Sequence, residues 1–295
     1  MLVPAFKLIK AAQKNHYALG HFNINGLNWI TVYLRTAQET NSPVILATSD
    51  RLVEQLGGFQ YLADVTQYFI RELQITIPVV LHLDHGTSVE HTKQAIAAGY
   101  TSVMFDGSKL PIADNVRLTK EVVDYAHAHN VSVEAEVGAV GGNENGIISG
   151  IKYASVEDAV QMKNTGIDFL AAALGSVHGD YVGKPNLNFE RMQQISQVTG
   201  LPLVLHGASG IPDDQIQNAI KMGTNKININ TEINYAWINA VRERINRKDA
   251  GHEPLPMLEA GNEAIKQMML QKMQQFHVLG KAKIAKDKVE ETSDL

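Results

Sequence analysis

The chain has 295 residues, 44% of them hydrophobic, a formal net charge of -5 and no cysteine. That balance supplies no basic field for nucleic acid and no Lys/Arg block for a membrane surface, so a small molecule is the default partner. Without cysteine there is neither disulfide nor thiolate chemistry; any metal must rest on His, Asp or Glu, and the eleven histidines become the residues to follow.

In chain order, the opening stretch MLVPAFKLIKAAQKNHYALG is amphipathic and lacks the apolar core of a signal peptide. No later run approaches the roughly eighteen apolar residues of a spanning helix, which predicts a cytoplasmic chain without membrane contact. Short apolar, β-branched runs then recur: ALGHFNI (18–24), PVILAT (43–48), PVVLHLD (78–84), TSVMFD (101–106), VSVEAE (131–136), IDFLAAAL (167–174), PLVLH (202–206) and NKININ (225–230). Amphipathic helical patterns follow them at 28–40, 59–73, 88–98, 113–129, 155–164, 189–199, 213–222 and 232–247. Ser88, Ser155 and Pro212 stand where helix starts need a cap or a fixed φ. Eight strand-helix units predict a closed (β/α)8 TIM barrel rather than an open doubly wound sheet, and the first run opens no GxGxxG turn. No Pro/Gly/Ser-rich linker divides the chain. We therefore expect one domain over 1–295, with extra helices at 1–15 and 258–277 and a charged tail at 281–295.

A barrel builds its active site at the carboxyl ends of its strands. There stand Asn23, Ser49 with Asp50 and Arg51, Asp84 with His85, Asp106, Glu134 with Glu136, His178, His206, and Asn228 with Asn230. His85, His178 and His206 each follow an apolar strand and precede a glycine. Three neutral imidazoles with an open fourth position form a catalytic zinc site, and these three can meet only if the sheet closes. The third strand is expected to end at Asp84 and turn at Gly86, so that His85 reaches the metal while Asp84 points into the barrel mouth. His21 and His82 lie inside strands and read as interior support; the remaining histidines read as solvated.

HGASG (206–210) and NINTE (228–232) join strands to helix N-termini, where backbone N–H groups favour anions such as phosphate. The glycine-rich loop GAVGGNENGIISG (138–150) carries Glu144 and reads either as a surface insertion or as a lid that brings a carboxylate over substrate. Two other readings remain open at this point. A class I aldolase would use a Schiff-base lysine, Lys109 or Lys226, which leaves the three His-Gly turns unexplained. A non-catalytic barrel would bind a sugar phosphate without turning it over.

The motifs HLDHGTS, SVMFDGS, VEAEVGAVGG, ALGSVHGDYVGKPN, LPLVLHGASGIP and KININTE, in this order from about residue 3 onward, resemble the class II, zinc-dependent ketose-phosphate aldolases. The resemblance implies His85, His178 and His206 as zinc ligands, Asp84 as the carboxylate taking the proton of the ketose C4 hydroxyl, and Glu144 as the lid acid/base. It implies Asp106 and Glu136 at a second or alternative metal position. Gly179, Gly207, Ala208, Ser209, Asn228, Asn230 and Thr231 match the region for phosphate and a monovalent cation, Na⁺ or K⁺. The family also implies a homodimer or homotetramer and a phosphorylated ketose substrate. One departure is visible: Val182 stands four residues after His178, where bisphosphate aldolases often have lysine, with Lys184 nearby. NINGLNW (23–29) and TSDRLVEQLGGF (48–59) are more similar to the 5-dehydro-2-deoxy-6-phosphogluconate aldolase branch of inositol catabolism than to the branch cleaving fructose or tagatose 1,6-bisphosphate. Malonate semialdehyde, the aldehyde half in that branch, carries a carboxylate that Arg51 could pair with bidentately, with Asn23 and Ser49 nearby.

Overall fold

A computed structural model describes residues 2–144, 147–249 and 251–283. Eight strands form the barrel: β1 (Leu19–Asn23), β2 (Val44–Ser49), β3 (Val79–Gly86), β4 (Ser102–Phe105), β5 (Ser132–Val137), β8 (Phe169–Ala172), β10 (Leu203–Leu205) and β11 (Thr224–Ile229). Each pairs in parallel with its neighbours, and β1 closes on β11 with Leu19 opposite Lys226 and His21 opposite Asn228. Parallel strands covered on both faces read as continuous apolar runs, and every residue of β1, β2, β3, β5 and β11 is buried. All eight predicted strands are present, so the chain is a (β/α)8 barrel.

The helices cover the barrel as their apolar spacing requires. They are α1 (Ala5–Lys14), α2 (Leu27–Glu39), α3 (Asp50–Leu56), α4 (Phe59–Glu72), α5 (Val89–Ala98), α6 (Ile112–Ala128), α7 (Val156–Lys163), α8 (Phe189–Thr199), α9 (Asp213–Lys221), α10 (Thr231–Ile245) and α11 (Leu255–Gln275). In α9 the buried residues are Ile216, Ala219 and Ile220, the i, i+3, i+4 stripe of a helix lying on a sheet. Ser88 Oγ accepts from the His91 N–H and Ser155 Oγ from that of Asp158, so both expected caps form. Asn188 caps α8 in the same way. No described helix is long and apolar enough to cross a membrane.

Three elements depart from expectation. Helix α3 was not foreseen: Asp50 opens it in the first turn, where a carboxylate suits the helix dipole, and Gly57 at φ 110° stops it seven residues later. The loop 138–150 is neither plain insertion nor plain loop. It holds β6 (Gly141–Glu144) and β7 (Ile147–Ser149), an antiparallel pair that docks in parallel on β9 (Val177–His178). The side chain of Glu144 and residues 284–295 of the tail lie outside the described residues. Finally, β3 does not end at Asp84 but runs to Gly86, with its register on β4 slipping between Leu83 and Gly86.

Candidate active site

That slip is what aims the first histidine. His85 takes the left-handed conformation at φ 49°, so the extra residue bulges and both Asp84 and His85 reach one cavity at the barrel mouth. Gly86 serves a different purpose from the turn expected of it. A Cβ there would stand 2.5 Å from the Met104 carbonyl oxygen, so only glycine lets β3 rejoin β4 immediately after the bulge. At the third histidine the glycine does make the turn: Gly207 sits at φ 61°, and a Cβ on it would collide with the carbonyl oxygen of Val177.

The cavity is lined by Asn23, Asp84, His85, His178, Gly179, Gly207, Ser209, Asn228, Asn230 and Thr231, all of them positions expected from the sequence. Ala208 is buried beneath it. Of the remaining expected residues, Asp106 and Glu136 stand behind His85, while buried Ser49 and exposed Arg51 are not among the lining residues. Lys184 is exposed on the loop after β9.

Hydrogen bonds fix how the imidazoles are presented. His85 Nδ1 lies 2.7 Å from Asp106 Oδ2 and His206 Nε2 lies 2.8 Å from Glu134 Oε1. A carboxylate only accepts, so those two ring nitrogens carry the protons and the opposite nitrogens carry lone pairs. His85 Nε2 and His206 Nδ1 face each other at 2.9 Å, lone pair to lone pair. With His178 they form a group of ligand atoms all within 4.8 Å of one another. Two acceptors at such a distance repel unless a cation lies between them, so this donor set fits a metal ion. Burial holds His178 well below the usual imidazole range and also lowers His206, which keeps both in the neutral form that ligation requires. His85, Asp106 and Glu136 form a second such group. Burial and the neighbouring Asp106 raise Glu136 well above the usual carboxylate range.

Asp84 is held differently. Asn23 Nδ2 donates to its Oδ2 at 3.3 Å and Asn228 Nδ2 to its Oδ1 at 3.2 Å. Burial alone would raise its pKa, but His21 and His85 outweigh it and hold the carboxyl well below its ordinary range. An ionised, amide-gripped carboxylate beside a group that could hold a metal ion is placed to accept a proton. His21 and His82 are fully buried beneath it, as expected, and burial lowers His21 to about 4, so it is neutral at pH 7. His91, expected to be solvated, is half-exposed and also pairs with Asp50 at 3.1 Å, because the unforeseen α3 brings that carboxylate beside α5.

Two groups went unrecognised. Tyr181 Oη donates to the Gly207 carbonyl at 2.8 Å and accepts the Val177 N–H at 3.1 Å, fastening the loop of His178 to that of His206. Lys226, considered above only for a Schiff base, is wholly buried and paired with Glu134 Oε2 at 2.9 Å. The sequence did hold a sign of this layer. His21 and Asn23, His82 and Asp84, Glu134 and Glu136, Lys226 and Asn228 are polar at i and i+2 on four fully buried barrel strands.

The family model for class-II fructose-bisphosphate aldolase matches residues 3–281. The chain belongs to the class-II fructose-bisphosphate aldolase family. As an aldolase it is a carbon-carbon lyase, and the family acts on phosphorylated ketoses. It is 52% identical to the 6-phospho-5-dehydro-2-deoxy-D-gluconate aldolase of Bacillus subtilis (strain 168), over 94% of this chain and 96% of that one. It is 47% identical to a fructose-bisphosphate aldolase of Geobacillus stearothermophilus, over 95% and 99%. Among solved structures, the YdjI aldolase of Escherichia coli K12 superposes with a TM-score of 0.84 at 34% identity, covering 96% of this aldolase and 100% of that chain.

Proposed function

We propose that this aldolase is zinc-dependent and cleaves 6-phospho-5-dehydro-2-deoxy-D-gluconate to dihydroxyacetone phosphate and malonate semialdehyde. The observation that carries the zinc reading is the pair of inward lone pairs on His85 and His206, each backed by a carboxylate, with His178 beside them. Histidine-only donor sets suit zinc better than they suit magnesium or calcium, which prefer oxygen. Asp106 and Glu136 offer a second, alternative position for a cation.

Bound at the three histidines, zinc supplies Lewis-acid stabilisation of the negative charge that develops on the ketone oxygen. Asp84 takes the proton of the hydroxyl on the carbon β to the ketone. That carbon becomes the aldehyde as its bond to the α-carbon breaks, and the electron pair passes to the ketone half. Glu144 then delivers a proton to the α-carbon, completing dihydroxyacetone phosphate, and the reverse sequence forms the bond. Gly179, Gly207, Ser209, Asn230 and Thr231 hold the phosphate. Two helices begin at this edge: α10 starts at Thr231, and α9 starts just beyond the 206–210 loop.

The choice of aldehyde rests on Arg51 and on the 52% identity to the relative named for the gluconate. Arg51 is the second residue of α3, exposed, and enters no ion pair among the described residues. A guanidinium so placed at the carboxyl end of β2 is free to receive the carboxylate of the incoming aldehyde. Replacing Arg51 with Leu should raise KM for the gluconate roughly tenfold, the cost of losing one charge-assisted contact, and leave cleavage of fructose 1,6-bisphosphate little changed. Steady-state kinetics on both substrates checks this. The reading as a whole is tested by dihydroxyacetone phosphate release before chelation, after chelation and after zinc is restored. Release that survives full removal of metal would overturn it.

A further inference from the structure

We propose that Lys226 is a positioning residue that orients the proton acceptor Asp84 and the metal ligand His206 together, through two hydrogen-bonded arms that diverge from one buried ammonium. The inference rests on the roles given to those two residues above. On one arm, Lys226 Nζ donates to Asn228 Oδ1 at 2.8 Å, and Asn228 Nδ2 donates to Asp84 Oδ1 at 3.2 Å. On the other, Nζ meets Glu134 Oε2 at 2.9 Å, and the His206 Nε2–H donates to Glu134 Oε1 at 2.8 Å.

The polarity of both arms follows from the chemistry of the ammonium, which can donate and never accept. An asparagine amide fits its slot in either of two orientations. Beside an ammonium only one is tolerable, with Oδ1 toward Lys226, and that orientation turns Nδ2 outward to the Asp84 carboxylate. The flipped amide would set its oxygen against a carboxylate oxygen. Likewise, Lys226 pins Glu134 as a carboxylate with Oε1 facing His206. That selects the tautomer protonated at Nε2, which leaves the Nδ1 lone pair for the metal. Lys226 is 0% exposed, on β11, two residues before Asn228 and therefore on the same inward face. It has no route to substrate, which separates this role from that of a Schiff-base lysine.

The test uses Lys226→Met together with the double variant K226M/E134Q, which removes both charges of the pair at once and keeps an amide oxygen for His206. Folding is checked by thermal melting and circular dichroism. Zinc affinity of the apoprotein, by chelator competition, reads the His206 arm without reference to turnover. At saturating zinc, kcat and KM read the Asp84 arm. We expect zinc affinity about tenfold weaker and kcat about 10- to 100-fold lower, with KM within threefold of the parent. Adding Asn228→Ala to the double variant should lower kcat little further, because the amide it removes is no longer held. A folded double variant with parental zinc affinity, or with parental kcat, would overturn the coupling. So would losses from K226M/E134Q and Asn228→Ala that multiply independently. If the parent binds zinc but cleaves no ketose phosphate, the functional reading fails, while the affinity measurement still judges the His206 arm.

Discussion

Replacing Asp84 with Ala should leave the aldolase folded and zinc-loaded while lowering kcat by about 10²- to 10⁴-fold, the range that a positioned general base contributes. The expectation follows from how the carboxylate is held. It lies in the cavity rather than in the apolar shell, so its removal opens space that water can fill. The two amides that grip it, from Asn23 and Asn228, then donate to that water rather than being stranded. Its pKa lies well below the ordinary carboxylate range, so the base is already ionised at every pH at which the enzyme would be assayed. The acid limb of a pH-rate profile should accordingly not report Asp84. Metal analysis alongside single-turnover cleavage separates the outcomes: full zinc with lost turnover is the expected result, and full turnover would remove Asp84 from the chemistry.

Replacing His206 with Ala should abolish zinc and activity together. The ring contributes one of the three convergent ligand nitrogens, and without it only those of His85 and His178 remain to hold the ion. Zinc affinity should fall by more than about 100-fold, the loss that even a change behind a ligand can cause. The Glu134–Lys226 ion pair is independent of the ring and remains, so the barrel should stay folded, which circular dichroism can verify. Retention of full zinc by this variant would exclude His206 as a ligand. Set beside Asp84→Ala, the pair divides the site into a metal arm and a proton arm.

Much of this was legible in the sequence because parallel barrels write themselves plainly. Strands covered on both faces are uninterrupted apolar runs, and the chemistry collects where each run stops. Every residue lining the cavity could be named from that rule and the resemblance. What was not legible was local. His85 is the residue that adopts the left-handed conformation, although glycine is adjacent; a bulge is fixed by how β3 meets β4, and no single-strand pattern encodes that. The short strands of the 138–150 segment form because β9 lies alongside, a long-range pairing invisible from composition. Lys226 was weighed only as a rival nucleophile because its position on the strand shows that it faces inward but not that Glu134, ninety-two residues earlier, waits there for it.

Substrate choice is read from kcat/KM for 6-phospho-5-dehydro-2-deoxy-D-gluconate and for fructose 1,6-bisphosphate, measured on the same zinc-reconstituted protein as dihydroxyacetone phosphate released. A clear preference for the gluconate is the expected result, with turnover of both substrates lost on chelation. Equal or greater efficiency with fructose 1,6-bisphosphate would contradict it.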